Sequence, residues 1–311
     1  MLSNMQPCEK RHTSFEDIVR ILYGRKWLII GLPLILSAMF AFVLIDMPNR
    51  YKSNATLVSA AASNSKVSGQ LGSLAALAGV NLGGLAGNDK TDYAIEVIVS
   101  REFIESFIKK RDLLIPLMAT ESVDLQTGQL ILNPEIYDEK NKKWVREVSF
   151  PYTPEPSTQE AHKAFLASFS ISKDKVKNTV YISFEHYSPD FSKNVTNWIV
   201  EDINDHIRQS DIRDAQNSIQ FLNKEADVAT IAEIRNVVYA LLEEQLKTLM
   251  VANVRHEYVF KFIDRAVSPQ EKSGPKRALI LIMFYLFLLF LTSIYVMISY
   301  RIKSLSLGKQ L

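Results

Sequence analysis

Two long apolar runs, one near each end of the sequence, constrain the fold more than any other feature. Neither residues 27–45 nor residues 278–300 contain a charged side chain. The second run is about 23 residues long, and at about 1.5 Å per residue it can cross a hydrocarbon core of roughly 30 Å. The first, about 19 residues, is longer than the apolar part of a signal peptide, which is about 7–15 residues. We therefore predict two transmembrane helices, at 27–45 and 278–300, the first of them an uncleaved anchor.

The charges that flank these runs predict the orientation of the chain. Basic residues outnumber acidic ones in residues 1–26, and the tail 301–311 has basic residues and no acidic one. By the positive-inside rule, both segments are expected in the cytoplasm, with residues 46–277 exported. Lys276 and Arg277 then lie on the outer side, against the rule, but long loops are exported largely regardless of their charge.

Composition excludes several classes of function for the exported region. The net charge of +2 gives no sign of nucleic-acid binding. The single cysteine, Cys8, lies in the N-terminal segment, so no disulfide framework is expected between the two runs. Stability must therefore come from packing, or from association with other copies of the chain.

Residues that could support catalysis or metal binding do not occur in the required patterns. None of the five histidines has the H-x-x-x-H or H-E-x-x-H spacing of a metal site. The acidic pairs Glu201–Asp202 and Glu243–Glu244 fit the solvated face of a helix better than general acid–base chemistry. A G-x-S-x-G motif is also lacking. We predict no enzymatic activity, no catalytic residue, no metal site and no cofactor.

Local patterns between the runs predict several strands and a helix at about 50–187. Residues 51–60 alternate as a strand does, with Ala55 and Leu57 on one face. Residues 92–114 show helical periodicity, residues 116–160 contain several prolines and predict an irregular connection, and residues 165–188 predict a β-hairpin. Residues 258–267 predict a strand that returns the chain to the second run.

A segment rich in Gly, Ala and Leu occupies residues 68–90 and includes Gly83 and Gly84. It lacks the Gly-Lys-Ser/Thr and Gly-x-Gly-x-x-Gly patterns of phosphate-binding loops, so nucleotide binding is not expected. Its apolar composition indicates that it packs against the surface of the domain or against a neighbouring subunit.

The longest predicted element is a helix at about 188–254. Ser188 can cap it and Pro189 suits its first turn. No Gly or Pro follows until Pro269, and apolar residues recur at steps of mostly three or four. A continuous helix would have about 65 residues and a length near 100 Å, and its apolar stripe would need a partner. The alternative is two or three shorter helices folded back on each other, which the missing breaks disfavour.

These features together resemble the Wzz-type chain-length determinants, polysaccharide co-polymerases of Gram-negative bacteria. EDIVRILYGRKWLII is similar to the family's amphipathic segment and first span, YKSNATL to its first outer strand, and SPDFSKNVTNWIVEDIN to the start of its long helix. Before the second run, at 268–277, family members carry spaced prolines, then Ser-Pro and a basic pair. The counterpart here, which we call the proline box, is Pro269-Gln-Glu-Lys272-Ser273-Gly274-Pro275-Lys276-Arg277. It departs from the family pattern at Lys272, where a second proline is common, and at Gly274, which separates Ser273 from Pro275.

The resemblance implies an α+β periplasmic base domain at about 50–187 with a projecting long helix, in an inner-membrane protein that assembles into ring-like homo-oligomers. It implies subunit contacts along the helix stripe and near the Gly/Ala-rich segment, for which the candidate residues are Ile212, Ile219, Leu222, Gly83 and Gly84. The implied function is to set the modal length of lipopolysaccharide O-antigen, as a scaffold for the O-antigen polymerase or the growing lipid-linked glycan. The proline box would couple the domain to membrane or polymerase, and Lys276 and Arg277 can reach lipid phosphates.

Other functions share parts of this arrangement. A two-span sensor would need a cytoplasmic signalling domain, and a kinase-type co-polymerase would need a Walker motif after the second run; neither is expected in residues 301–311. A co-polymerase for enterobacterial common antigen, capsule or exopolysaccharide, and a periplasmic export adaptor, remain alternatives in that order.

Overall fold

The computed structural model describes residues 25–60, 86–124, 126–228 and 231–307. The helices are Lys26–Asp46 (α1), Ala86–Val99 (α2), Arg101–Arg111 (α3), Leu114–Ala119 (α4), Thr158–Ser168 (α5), Pro189–Val228 (α6), Ala232–Val254 (α7) and Arg277–Leu307 (α8). The strands are Tyr51–Ser59 (β1), Thr120–Val123 (β2), Leu130–Leu132 (β3), Tyr137–Asp138 (β4), Lys143–Trp144 (β5), Phe169–Asp174 (β6), Thr179–His186 (β7) and Phe260–Asp264 (β8). The chain divides into two compact units, one made by the described residues up to Met47 and from Gly274 on, the other by Pro48–Ser273.

The first unit is a pair of antiparallel helices, α1 and α8. Both are long and apolar enough to cross a membrane, over Trp27–Asp46 and Arg277–Ser299. The rings of Phe40 and Phe284 lie 4.3 Å apart between centroids, and the Thr292 hydroxyl, nearer the other end, donates to the Ile29 carbonyl at 3.4 Å. Helix α1 ends directly before Met47 and Pro48, because proline disfavours helical backbone in the residue before it.

A four-stranded antiparallel sheet organises the second unit, in the order β6–β7–β1–β8. Buried residues alternate along β1, as its sequence predicts, and Ala55 and Leu57 lie on the buried face. The β6–β7 hairpin pairs Ile171 with Ile182 across its turn, which agrees with the predicted hairpin. Strand β8 is shorter than the predicted return strand and pairs with β1 through a register shift between Thr56 and Leu57.

The core of this unit lies between the sheet and helices α3, α5 and α6. The Phe165 ring packs against Phe107, Phe169 and Phe184, at centroid distances of 5.8, 5.5 and 5.3 Å. All four side chains are buried, and burying an aromatic side chain of this size contributes about 1.5–3 kcal/mol. Helix α6 joins the same core through Val195, Ile199 and Ile203.

The prediction of one continuous helix at 188–254 is wrong. Helix α6 does begin where expected, since the Phe191 N–H donates to the Ser188 hydroxyl at 3.3 Å, and it runs for 40 residues. It ends at Val228, and a second helix of 23 residues, α7, begins at Ala232 after Ile231 in extended conformation. Helix α7 packs along α6. Folding back lets the two apolar stripes cover each other within one chain, and it needs neither Gly nor Pro.

The region before β2 also differs from its prediction. The helix expected at 92–114 starts earlier, at Ala86, and is divided at Ser100. Ser100 has extended backbone, and its hydroxyl accepts from the Phe103 N–H at 3.3 Å, so it caps α3 while ending α2. Residues 116–160, expected to be irregular, contain part of α4, the short hairpins β2–β3 and β4–β5, and the start of α5.

Candidate functional site

The second unit holds the first half of the proline box on the edge of its sheet. The Ser273 N–H donates to the Arg50 carbonyl at 2.8 Å, and its hydroxyl is shared between the same carbonyl, at 3.1 Å, and the Glu185 carboxylate, at 2.9 Å. Just before the box, the Ser53 hydroxyl donates to the Val267 carbonyl at 2.7 Å. The chain that leads from β8 to the second span is therefore fixed beside the strand that follows the first span.

Two asparagines of α6 bind the same returning chain. The Asn204 amide accepts from the Val259 and Phe260 N–H groups, both at 2.8 Å, and donates to the Phe260 carbonyl at 2.9 Å. Two helical turns earlier, Asn197 accepts from the Ala266 N–H and donates to its carbonyl, both at 3.0 Å. These amides pair with backbone groups in place of a neighbouring strand. Their role does not follow from the sequence, because polar residues on a helix predict a solvated face.

The rest of the proline box belongs to the first unit. Gly274 and Pro275 are joined by a cis peptide, and Lys276 is exposed. The Arg277 guanidinium donates to the carbonyl of Met47, the C-cap residue of α1. It thereby satisfies a carbonyl left unpaired at a helix end, where the dipole favours a cation. Arg277 thus connects the two spans, and in this half of the box Lys276 has an exposed charge.

A buried histidine lies where β7 meets α6. The Ser188 N–H donates to Nδ1 of His186 at 3.2 Å, so the proton of the neutral ring is on Nε2, which donates to the Pro116 carbonyl at 3.0 Å. Burial, reinforced by the charge of Arg50, lowers the pKa of His186 to about 4. The ring is therefore neutral at pH 7, and it joins β7, α4 and the start of α6.

An ionic cluster connects α3 to α6. Arg111 donates to both oxygens of Asp202, at 3.0 and 2.8 Å, and Lys110 donates to one of them at 2.8 Å. Burial opposes ionisation of Asp202, but the hydrogen bonds from Arg111 and Lys110 outweigh it, and its pKa is lowered. Arg111 also lies over the Trp198 ring, 5.2 Å from its centroid. The cluster fixes the position of α3 on the long helix.

The α6–α7 hairpin exposes large apolar side chains, although the two helices cover part of each other. The exposed ones are Phe221, Val228, Ile231, Ile234, Val237, Tyr239, Leu241, Met250 and Val254. Of the predicted subunit contacts, Ile212, Ile219 and Leu222 are half-buried and share the helical face of Ala215, which is 1 % exposed. Gly83 and Gly84 lie outside the described residues. These exposed apolar residues do not follow from the sequence, because a single continuous helix would place the whole apolar stripe on one face.

Residues 12–111 match the family model described as Wzz, chain length determinant protein. A full-length bacterial polysaccharide co-polymerase of known structure is 11 % identical over 94 % of this chain and 99 % of its own, with a TM-score of 0.38. A fragment of WzzB, a polysaccharide co-polymerase from Salmonella Typhimurium, is 12 % identical over 73 % of this chain and 100 % of its own, with a TM-score of 0.31. No curated protein matches the sequence.

Two helices with the length and composition of membrane spans lie on either side, in sequence, of an α+β domain with a very long helix. Among the residues that the structure describes, no group of three His, Cys, Asp or Glu is placed to hold a metal ion. The match of residues 12–111, from the N-terminal segment to the end of α3, to the chain length determinant model supports a relationship to the Wzz-type polysaccharide co-polymerases.

Proposed function

We propose that this protein sets the modal length of lipopolysaccharide O-antigen, as a non-enzymatic scaffold that acts with the O-antigen polymerase. The observation that carries the proposal is the chain length determinant match over residues 12–111, which contain the first span, β1, α2 and α3. The second span and the box that precedes it are consistent with the same role. The excess of basic residues in segments 1–26 and 301–311 supports an inner-membrane protein with a periplasmic domain.

The scaffold is proposed to be a ring-like homo-oligomer, and the exposed apolar side chains of the α6–α7 hairpin support this. In detergent, light scattering of the purified full chain should give a protein mass several times the 35.3 kDa of one subunit. Val237→Asp should lower that mass, because Val237 is 60 % exposed and its replacement leaves the core of one subunit intact. The exposed residue Lys224, changed to Gln, is the control. A 35.3-kDa species for the unmodified protein would contradict the oligomer.

A silver-stained gel of lipopolysaccharide tests the function itself. Cells that lack the gene should lose the cluster of bands at one length, and restoring the gene should return it. We expect Pro275→Ala to shift or disperse this cluster, since the proline limits how the chain enters the second span. Pro134→Ala, in an exposed loop of the other unit, should leave the band pattern unchanged.

Two outcomes of this gel would argue against the proposal in different ways. Identical ladders with and without the gene would exclude the O-antigen role, and capsule or exopolysaccharide should then be sized, since a co-polymerase for either remains the alternative. A normal band cluster with Pro275→Ala would exclude the proposed coupling through the box.

A further inference from the structure

A cleft lies between α3 and α6 in the second unit, and the side chains of the domain do not fill it. It has a volume of about 290 Å³, near the lower end of the range for small-ligand sites. Among the residues that the structure describes, its lining comes from α3 and α6: Phe103, Ser106, Phe107, Lys110, Asp202, Asp205, His206, Gln209 and Arg213. We call this the α3–α6 cleft.

The inner wall of the cleft is apolar and firmly packed. Phe103 and Phe107 are 3 % and 2 % exposed, and their rings lie 6.2 Å apart between centroids. The ring of His206 meets Phe103 edge-on at 5.6 Å. A ligand with a face of C–H groups can pack on such a wall without disturbing the core behind it.

The rim of the cleft carries polar groups that the protein itself leaves available. Ser106, His206, Gln209 and Arg213 are exposed, and the side chains of the last three form no ion pair or hydrogen bond with any residue that the structure describes. A hydroxyl and an amide offer both donors and acceptors, which suits neighbouring hydroxyl groups on a ligand.

Among the charged residues of the cleft, Arg213 is a cation that remains available to a ligand. Its two carboxylates are already paired within the protein, Asp202 with Arg111 and Lys110, and Asp205 with Arg208 at 2.8 Å. Arg213 has no such partner among the described residues. Because a guanidinium can hold a carboxylate with two parallel hydrogen bonds, the ligand best suited to it carries an acidic group.

We propose that the α3–α6 cleft binds a short stretch of acidic saccharide. The C–H face of a sugar ring would pack toward Phe103, its hydroxyls would bond to Ser106 and Gln209, and its carboxylate would bond to Arg213. This inference rests on the proposed function, because a regulator of polysaccharide length works beside that polymer. It adds a defined point of contact with the glycan itself, on the domain rather than at the membrane.

Titration calorimetry on the full chain in detergent tests the site, with an oligogalacturonate as the acidic probe and a maltooligosaccharide of equal length as the neutral one. The acidic probe should bind more tightly. Arg213→Gln should weaken its binding about 10- to 100-fold, as expected for the loss of a charge-assisted hydrogen bond. Lys224→Gln removes the same charge from an exposed position farther along α6 and should leave the affinity unchanged. Both changes keep a good helix former, and circular dichroism checks the fold.

Three results would overturn the cleft assignment: no binding of the acidic probe, equal binding of both probes, or equal affinity in Arg213→Gln and Lys224→Gln. Each leaves the proposed function standing if the lipopolysaccharide gel still shows a gene-dependent band cluster. Conversely, a gel that does not depend on the gene removes the proposed function, whatever the calorimetry shows. The calorimetry thus tests the cleft, and the gel separately tests the proposed function.

Discussion

Replacing Asn204 by Ala should lower the free energy of unfolding of the full chain by about 4 kcal/mol. Asn204 is 3 % exposed, and its amide pairs with two N–H groups and one carbonyl of residues 259 and 260. Alanine leaves all three backbone groups buried without a partner, and each unpaired group costs about 1–3 kcal/mol. The measurement is a urea series on the purified protein in detergent, followed by tryptophan fluorescence, since Trp144 and Trp198 both lie in the second unit.

Asn253→Ala is the matched control for this change. Asn253 is exposed, lies on α7, and donates only to the Leu249 carbonyl one turn earlier. Its replacement should change the stability by less than about 0.5 kcal/mol. If Asn204→Ala and Asn253→Ala had equal effects, the amide of Asn204 would not be what holds β8 on α6.

Acidification from pH 6.5 toward pH 4 should cost the second unit about 3 kcal/mol of stability, mainly through His186. Burial holds the pKa of this ring near 4 in the folded protein, whereas an unfolded histidine titrates near 6.5. Because the folded pKa is the lower one, the contribution of His186 is fully present above pH 6.5 and is lost as the pH falls toward 4. Protonation of Nδ1 also removes the acceptor for the Ser188 N–H.

The slope of stability against pH between 6.5 and 4.5 is the quantity to measure. His186→Gln does not titrate, and the slope should become nearly flat even if the variant is less stable at every pH. Glu160 does not interfere in this window: hydrogen bonds from Arg146 hold its pKa at about 2, so its contribution is lost only as the pH falls below about 4.5. An unchanged slope in His186→Gln would assign the acid sensitivity to other groups.

Local signals in the sequence were sufficient where one residue pattern decides one element. The spans follow from runs without charge, β1 and the β6–β7 hairpin from alternation, and the start of α6 from Ser188 and Pro189. They failed where the chain folds back on itself. The end of α6 at Val228 has no Gly or Pro nearby, and what favours it is packing against α7, which no local pattern contains.

The candidate site shows the same limit. The proline box was found from its composition, but the anchoring of Ser273 on Arg50 and Glu185 joins parts of the chain more than 80 residues apart. Asn197 and Asn204 resemble any polar residue of an exposed helix face until the returning strand is in place. Similarly, Arg213 becomes a candidate ligand-binding residue only after α3 is docked on α6.

The placement of β1 beside β8 has a mechanical consequence. The chain enters the domain from the first span through β1 and leaves toward the second span after β8, at the same end of an antiparallel pair. Tension between the two spans would therefore unzip this pair one hydrogen bond at a time, starting where Ser273 meets Arg50, instead of shearing all its bonds together. The Ser53–Val267 bond and the two asparagines of α6 come next along that line. The domain thus resists separation of its membrane helices through a short series of hydrogen bonds that break one after another.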